Sequence, residues 1–131
     1  MICGLGIDAA SIERTGRLDE HAVSRIFHPE EVEQYKQLGS AVKSVRDQFL
    51  ASRFAVKEAY AKARGLGFAS TIVPCEICTC KDENGKPYVK LEGKTLENHP
   101  KDQVIHVSIT HQEPLAIAIV ILEKEDSHVQ G

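Results

Sequence analysis

The sequence predicts a mixed α and β protein, with helices gathered in its first half and strands in its second. Three observations predict it. An apolar stretch opens the chain, Ile2 to Ile7, and reads as a strand. A long segment from about Lys43 to Arg64 holds helical spacing and closes at Gly65, where a C-terminal cap favours glycine. From residue 72 onward the pattern turns to strands, and Asn84-Gly85 between two of them is a strong hairpin signal.

Each element has its own warrant. Gly4 and Gly6 in the first strand let another backbone or a ligand come close. That strand is expected to end at Asp8. From about Asp19 to Phe27 the positions Leu18, Ala22, Arg25 and Ile26 keep helical spacing. Pro29 fits the first turn of a further helix, and Glu30 and Glu31 suit the positive end of its dipole. This helix is expected to run to about Leu38 and stop at Gly39. On the long helix Val45, Phe49, Ser52, Val56, Ala59, Tyr60 and Ala63 form one stripe. Leu50, Phe54 and Ala61 form a second, nearly opposite one. A helix that is apolar on two sides is buried on two sides, by its own sheet and by another helix or subunit. Glu58 falls beside the second stripe. Cys75 to Lys81, Pro87 to Leu91 and Val104 to Thr110 read as strands. Leu115 to Leu122 is apolar without a break and reads as a strand covered on both faces. Residues 1–125 are expected to form one domain, and the polar tail 126–131 to be disordered.

Composition narrows the function. The chain has 131 residues, 42% of them hydrophobic and 27% charged, with a formal net charge of -3. A nucleic-acid-binding protein would carry a basic surplus, so none is expected as a partner. No apolar run reaches the roughly 18 residues of a membrane span. Met1 to Ile7 is too short for a signal peptide and lacks a basic lead-in. The expected location is the cytoplasm, with Cys3, Cys75, Cys78 and Cys80 as thiols.

Several residues can carry chemistry, each with a plainer alternative. Asp8 is a candidate ligand-facing carboxylate and equally a helix cap. Glu58 pairs with Lys62 at i,i+4 for a few tenths of a kcal/mol, or joins Asp8 around magnesium, which takes one or two carboxylates plus substrate phosphates. Arg53, Lys57, Lys62 and Arg64 share the long helix, and for Lys57 and Arg64 a solvated face is the better expectation. His111 follows Thr110 at a strand end, where it suits a phosphate or a turn. Cys75, Cys78 and Cys80 form C-x-x-C-x-C, but structural zinc needs a second ligand pair, so buried or edge thiols are expected.

Together these residues resemble a known family. Gly6-Ile7-Asp8 with Arg14 is similar to the first motif of the holo-(acyl-carrier-protein) synthases. Arg53-Phe54-Ala55-Val56-Lys57-Glu58-Ala59, continuing to Lys62-Ala63-Arg64-Gly65, resembles their most diagnostic motif. Asn84-Gly85-Lys86-Pro87 and Val107-Ser108-Ile109-Thr110-His111 resemble the hairpin and the third motif, in the right order.

The resemblance implies an α+β fold with one long helix on a small antiparallel sheet. It implies a homotrimer with sites between subunits, which would cover the second apolar stripe. It implies transfer of 4′-phosphopantetheine from coenzyme A to a serine of apo acyl carrier protein, releasing 3′,5′-ADP, in fatty acid biosynthesis. Asp8 and Glu58 would hold magnesium, with manganese as a possible substitute. Lys62 would contact the pyrophosphate, and Glu58, directly or through a metal-bound water, would take the serine proton. Arg53, Gly65, Gly85, Lys86, Pro87, Thr110 and His111 would bind coenzyme A. Arg14 and Arg25 would face the carrier, although Asp19-Glu20-His21 makes that helix less basic than the family pattern. Two rivals are a non-catalytic phosphate-binding module, which would avoid paired carboxylates, and a zinc-dependent regulator, which zinc content would reveal.

Overall fold

The computed structural model describes residues 1–39, 41–68 and 70–125; the tail 126–131 lies outside the described residues. Strands β1 (Ile2–Ser11), β4 (Gln103–Gln112) and β5 (Leu115–Lys124) form an antiparallel sheet in the order β1-β5-β4. Strands β2 (Ile77–Lys81) and β3 (Pro87–Leu91) form a separate hairpin. Helices α1 (Ile12–Gly16), α2 (Glu20–Ile26) and α3 (Pro29–Gln37) lead into the long α4 (Lys43–Ala63), and a short α5 (Gly93–Glu97) follows β3. The fold is α+β, but the expected single small sheet is split in two, because among the described residues the hairpin pairs only with itself.

Helix α4 lies directly on β1, and the sequence shows why. A Cβ on Gly4 would come within 2.1 Å of the Ala63 carbonyl oxygen, and one on Gly6 within 2.0 Å of that of Ala59. Only glycine lets the two backbones meet this closely. Ala51, Ala55, Ala59 and Ala63 keep that side of the helix thin and are all buried. They pack on Ala116, Ala118, Val120 and Leu122 of β5. Leu50 joins Val23 and Phe27 in a second apolar cluster, so both stripes of the long helix are used. Gly65 has φ +72°, the left-handed turn that closes α4.

Four expectations need correction. β1 does not stop at Asp8 but runs to Ser11, whose side chain caps α1 by accepting from the Arg14 N–H at 3.1 Å. Asp8 is thus an interior strand residue opposite Ala118, not a helix cap. β5 is covered by α4 on one face only; on the other, Ile117, Ile119 and Ile121 are half-buried beside exposed Leu5 and Ile7 of β1. Lys57 is not on a solvated face. Its side chain is 0% exposed, and its Nζ donates to Glu31 Oε1 at 2.7 Å, to Pro74 O at 3.0 Å and to Ile77 O. Glu31 also accepts from the backbone N–H of His28 and of Thr79. This buried pair joins α3, α4 and β2. Arg64 is half-buried, donating to the Tyr60 hydroxyl and to Asn98 O. Among the described residues no helix is long and apolar enough to cross a membrane.

Candidate active site

The inner face of β1 presents Gly4, Gly6, Asp8 and Ala10 toward α4, since alternate residues of a strand share a face. Glu58 and Lys62 stand one helical turn apart above it. Lys62 Nζ donates to Asp8 Oδ1 and to Ile7 O, both at 3.0 Å. Burial pushes the Glu58 carboxyl above its ordinary value; the charge of Asp8 raises it further and Lys62 opposes. Asp8 and Glu58 line one cavity of about 340 Å³ together with Ser11, Arg14 and Phe54. With the charge of Asp8 raising the proton affinity of Glu58, the two carboxylates of this half-enclosed cavity are an oxygen donor set short of positive charge. That fits a hard cation such as magnesium, which accepts a few carboxylates and completes its shell elsewhere.

A second cavity, of about 400 Å³, lies on the far side of the same helix. Arg53, Lys81, Gly85, Pro87 and His111 line it, with Phe49 and Ser52. The Arg53 guanidinium sits 4.1 Å from the Phe49 ring centroid, and its Nη1 donates to Ser52 Oγ at 2.9 Å. Its buried Nε has no hydrogen-bond partner among the described residues. A fixed guanidinium with a spare donor, a lysine and a histidine make an anion-binding surface. The hairpin reaches this wall through Asp82, which accepts from the N–H of Asn84 and of Lys86 and shapes the turn at Gly85, φ +81°.

The fold therefore gathers the sequence candidates into two sets. Asp8, Glu58 and Arg14 share one cavity; Arg53, Gly85, Pro87 and His111 share the other. Some candidates join neither. Lys86 is exposed in the turn, and Gly65 faces open space. Thr110 projects from the opposite face of β4 to Ile109 and His111. Arg25 is exposed on α2, where its neighbour Ile26, not Arg25 itself, reaches the first cavity. Sequence reasoning missed Lys81; its position at a strand end just before a hairpin turn was the available signal.

Comparison with known proteins identifies the family. The family model described as the 4′-phosphopantetheinyl transferase superfamily matches residues 4–120. A holo-(acyl-carrier-protein) synthase of Geobacillus sp. (strain WCH70) is 42% identical over 127 residues, covering 95% of this chain and 98% of that protein. The corresponding synthase of Bacillus subtilis (strain 168) is 35% identical, covering 97% of this chain and 100% of that protein. The crystal structure of the synthase from Bacillus anthracis str. Ames, in complex with CoA (3′,5′-ADP), superposes with a TM-score of 0.80 at 31% identity, covering 95% of this chain and 99% of that one. That from Neisseria meningitidis gives a TM-score of 0.83 at 30% identity, covering 95% and 100%. With full-length relatives of one activity and the paired-carboxylate cavity in place, the chain belongs to the holo-(acyl-carrier-protein) synthase family of 4′-phosphopantetheinyl transferases.

Proposed function

We propose that this protein transfers 4′-phosphopantetheine from coenzyme A to a serine of apo acyl carrier protein, with magnesium, releasing 3′,5′-ADP. The observation that carries the reading is the convergence of Asp8, Glu58 and Lys62 where β1 meets α4, beside Arg14. Asp8 and Glu58 are the residues to hold the metal. Magnesium held there supplies neutralisation of charge on the pyrophosphate. Lys62 binds and orients the pyrophosphate, exchanging its bond to Asp8 for phosphate oxygens. Glu58, directly or through a metal-bound water, takes the proton of the carrier serine. Phosphoryl transfer asks for little else than positioning and charge stabilisation. Arg14 and exposed Arg25 face the acidic carrier. A cytoplasmic location and a single catalytic domain over residues 1–125 belong to the same reading.

We also propose a homotrimer with sites shared between neighbours. At roughly 100° per residue, Arg53 and Lys62 point to opposite sides of α4. One coenzyme A cannot reach both within a chain, whereas a neighbour can bring its Arg53–His111 cavity to the Asp8–Glu58 cavity. The outer sheet face, with exposed Leu5 (61%) and Ile7 (58%) beside Ile117, Ile119 and Ile121, is an apolar surface of the kind subunits cover. Lys81 and His111 then join Arg53 at the 3′-phosphate. The test is the mass of an apo carrier incubated with this protein, coenzyme A and magnesium. One added phosphopantetheine, abolished by EDTA, supports the transferase. Coenzyme A binding with no added mass on several carriers would leave a binding module.

A further inference from the structure

Cys78 and Cys80 have no part in the transfer reaction. In the sequence their motif lacks a second ligand pair; the fold brings one from the start of α3. β2 turns Cys78 and Cys80 to one side, and their sulfurs lie 3.7 Å apart. Two sulfurs held at ~2.3 Å on a tetrahedral cation stand about 3.7 to 3.8 Å from each other. His28, Glu30 and Cys78 present ligand atoms that all lie within 4.8 Å of one another, and the Cys80 sulfur lies outside this trio, adjoining it at Cys78. A disulfide is the poorer use of the pair: alternate residues of an extended strand stand ~6.6 Å apart, well beyond the Cβ spacing of about 4 Å that a disulfide needs.

We propose that Cys78, Cys80, His28 and Glu30 form a tetrahedral site for a divalent zinc ion, which staples the start of α3 to the β2–β3 hairpin.

The surroundings suit this chemistry. Glu92 Oε1 lies 2.9 Å from His28 Nε2, which fixes the proton on Nε2 and leaves the Nδ1 lone pair as the ligand. Nδ1 now accepts the Glu30 N–H at 3.0 Å, and Glu30 pairs with Lys90; the cation replaces both partners. Burial, then the charge of Glu31, pushes the Cys78 thiol up, so without a metal it stays protonated. On coordination each thiol loses its proton to solvent as its sulfur–zinc bond forms. Arg53 acts on the sulfurs of Cys78 and Cys80, Lys57 on that of Cys78, and both cations balance Glu31. Arg53 also lines the second cavity, so the staple would steady one wall of it.

The experiment uses the reduced, untagged full chain, loaded with zinc and dialysed, with elemental analysis as the readout and cobalt as a spectroscopic probe. The expected result is one zinc per chain, a thiolate-to-cobalt charge-transfer band and a raised melting temperature. Cys80→Ser and His28→Asn should each lose all three while keeping native circular dichroism; Asn is chosen because it still caps α3. Asp8→Asn should keep all three, which separates this site from the one at Glu58. Substoichiometric zinc in the wild-type chain, or zinc and band that survive both Cys80→Ser and His28→Asn, would overturn the proposal.

Discussion

Gly6→Ala is a one-methyl change that should damage the fold and the site together. The added Cβ would stand 2.0 Å from Ala59 O and 2.6 Å from Ala63 N. Real Cβ contacts essentially never fall under 3.0 Å, so α4 must lift from β1 by about 1 Å. The obstacle is backbone, which cannot swing aside as a side chain can. Overpacking of this kind costs about 1–3 kcal/mol. For a chain of this size that lowers the melting temperature by roughly 3–12 °C. The same shift separates Glu58 and Lys62 on α4 from Asp8 on β1. A misplacement of ~1 Å in a positioned site costs on the order of 100-fold in rate. The assays are thermal unfolding and transfer to apo carrier at saturating coenzyme A. Gly67→Ala is the control, since its Cβ would meet nothing within 4 Å. An unchanged melting temperature and full activity in Gly6→Ala would refute the argument that α4 and β1 share this contact.

Further expectations follow from other contacts. Lys57→Met leaves the fully buried Glu31 without its cation and should cost ~3–5 kcal/mol in urea unfolding; a loss under about 1 kcal/mol would mean the pair is not closed to water. Glu58→Gln should lose turnover and metal affinity together in calorimetry and transfer assays, and near-normal turnover would remove Glu58 from both roles. Arg53→Ala should weaken coenzyme A by about 10- to 100-fold and leave dephospho-coenzyme A unaffected, because only the former carries the 3′-phosphate. Glu76 accepts the Thr95 N–H at 2.9 Å and the Thr95 hydroxyl at 2.8 Å, and the backbone bond first, then the hydroxyl, holds its carboxyl below the ordinary 4.5. Its stabilisation is full above that value and fades as pH falls through the lower folded-state value. Glu76→Gln should flatten this part of the acid unfolding curve; an unchanged curve would contradict it.

What the sequence made legible was local. The cap at Gly65, the turn at Gly85, the close approach at Gly4 and Gly6, and the two stripes of α4 all rest on contacts within one element or on the absence of a side chain. What it hid was set by distant pairing. Lys57 reads as one more cation on a helix face, because nothing near it in the chain announces that Glu31 arrives from α3 to bury it. The sequence puts Asp8 at a strand end because aspartate and serine both cap well, and nothing local says that Ser11, three residues on, is the one that caps α1. The cysteine motif reads as incomplete because the complement proposed for it, His28 and Glu30, comes from the start of α3, far away in the chain. The candidate site divides the same way. Motif spacing singled out Glu58, Lys62 and Arg53, but only the turn of α4 shows that Lys62 and Arg53 face away from each other.

That opposition makes the shared site the central claim, and subunit complementation tests it most directly. Glu58→Gln and the double variant Arg53→Ala/His111→Ala should each be inactive alone. Mixed in equal amounts and reassembled, they should recover about a quarter of wild-type transfer, the fraction of random neighbours in which both halves of a site are intact. No recovery in mixed assemblies that have formed would place both halves in one chain and contradict the account.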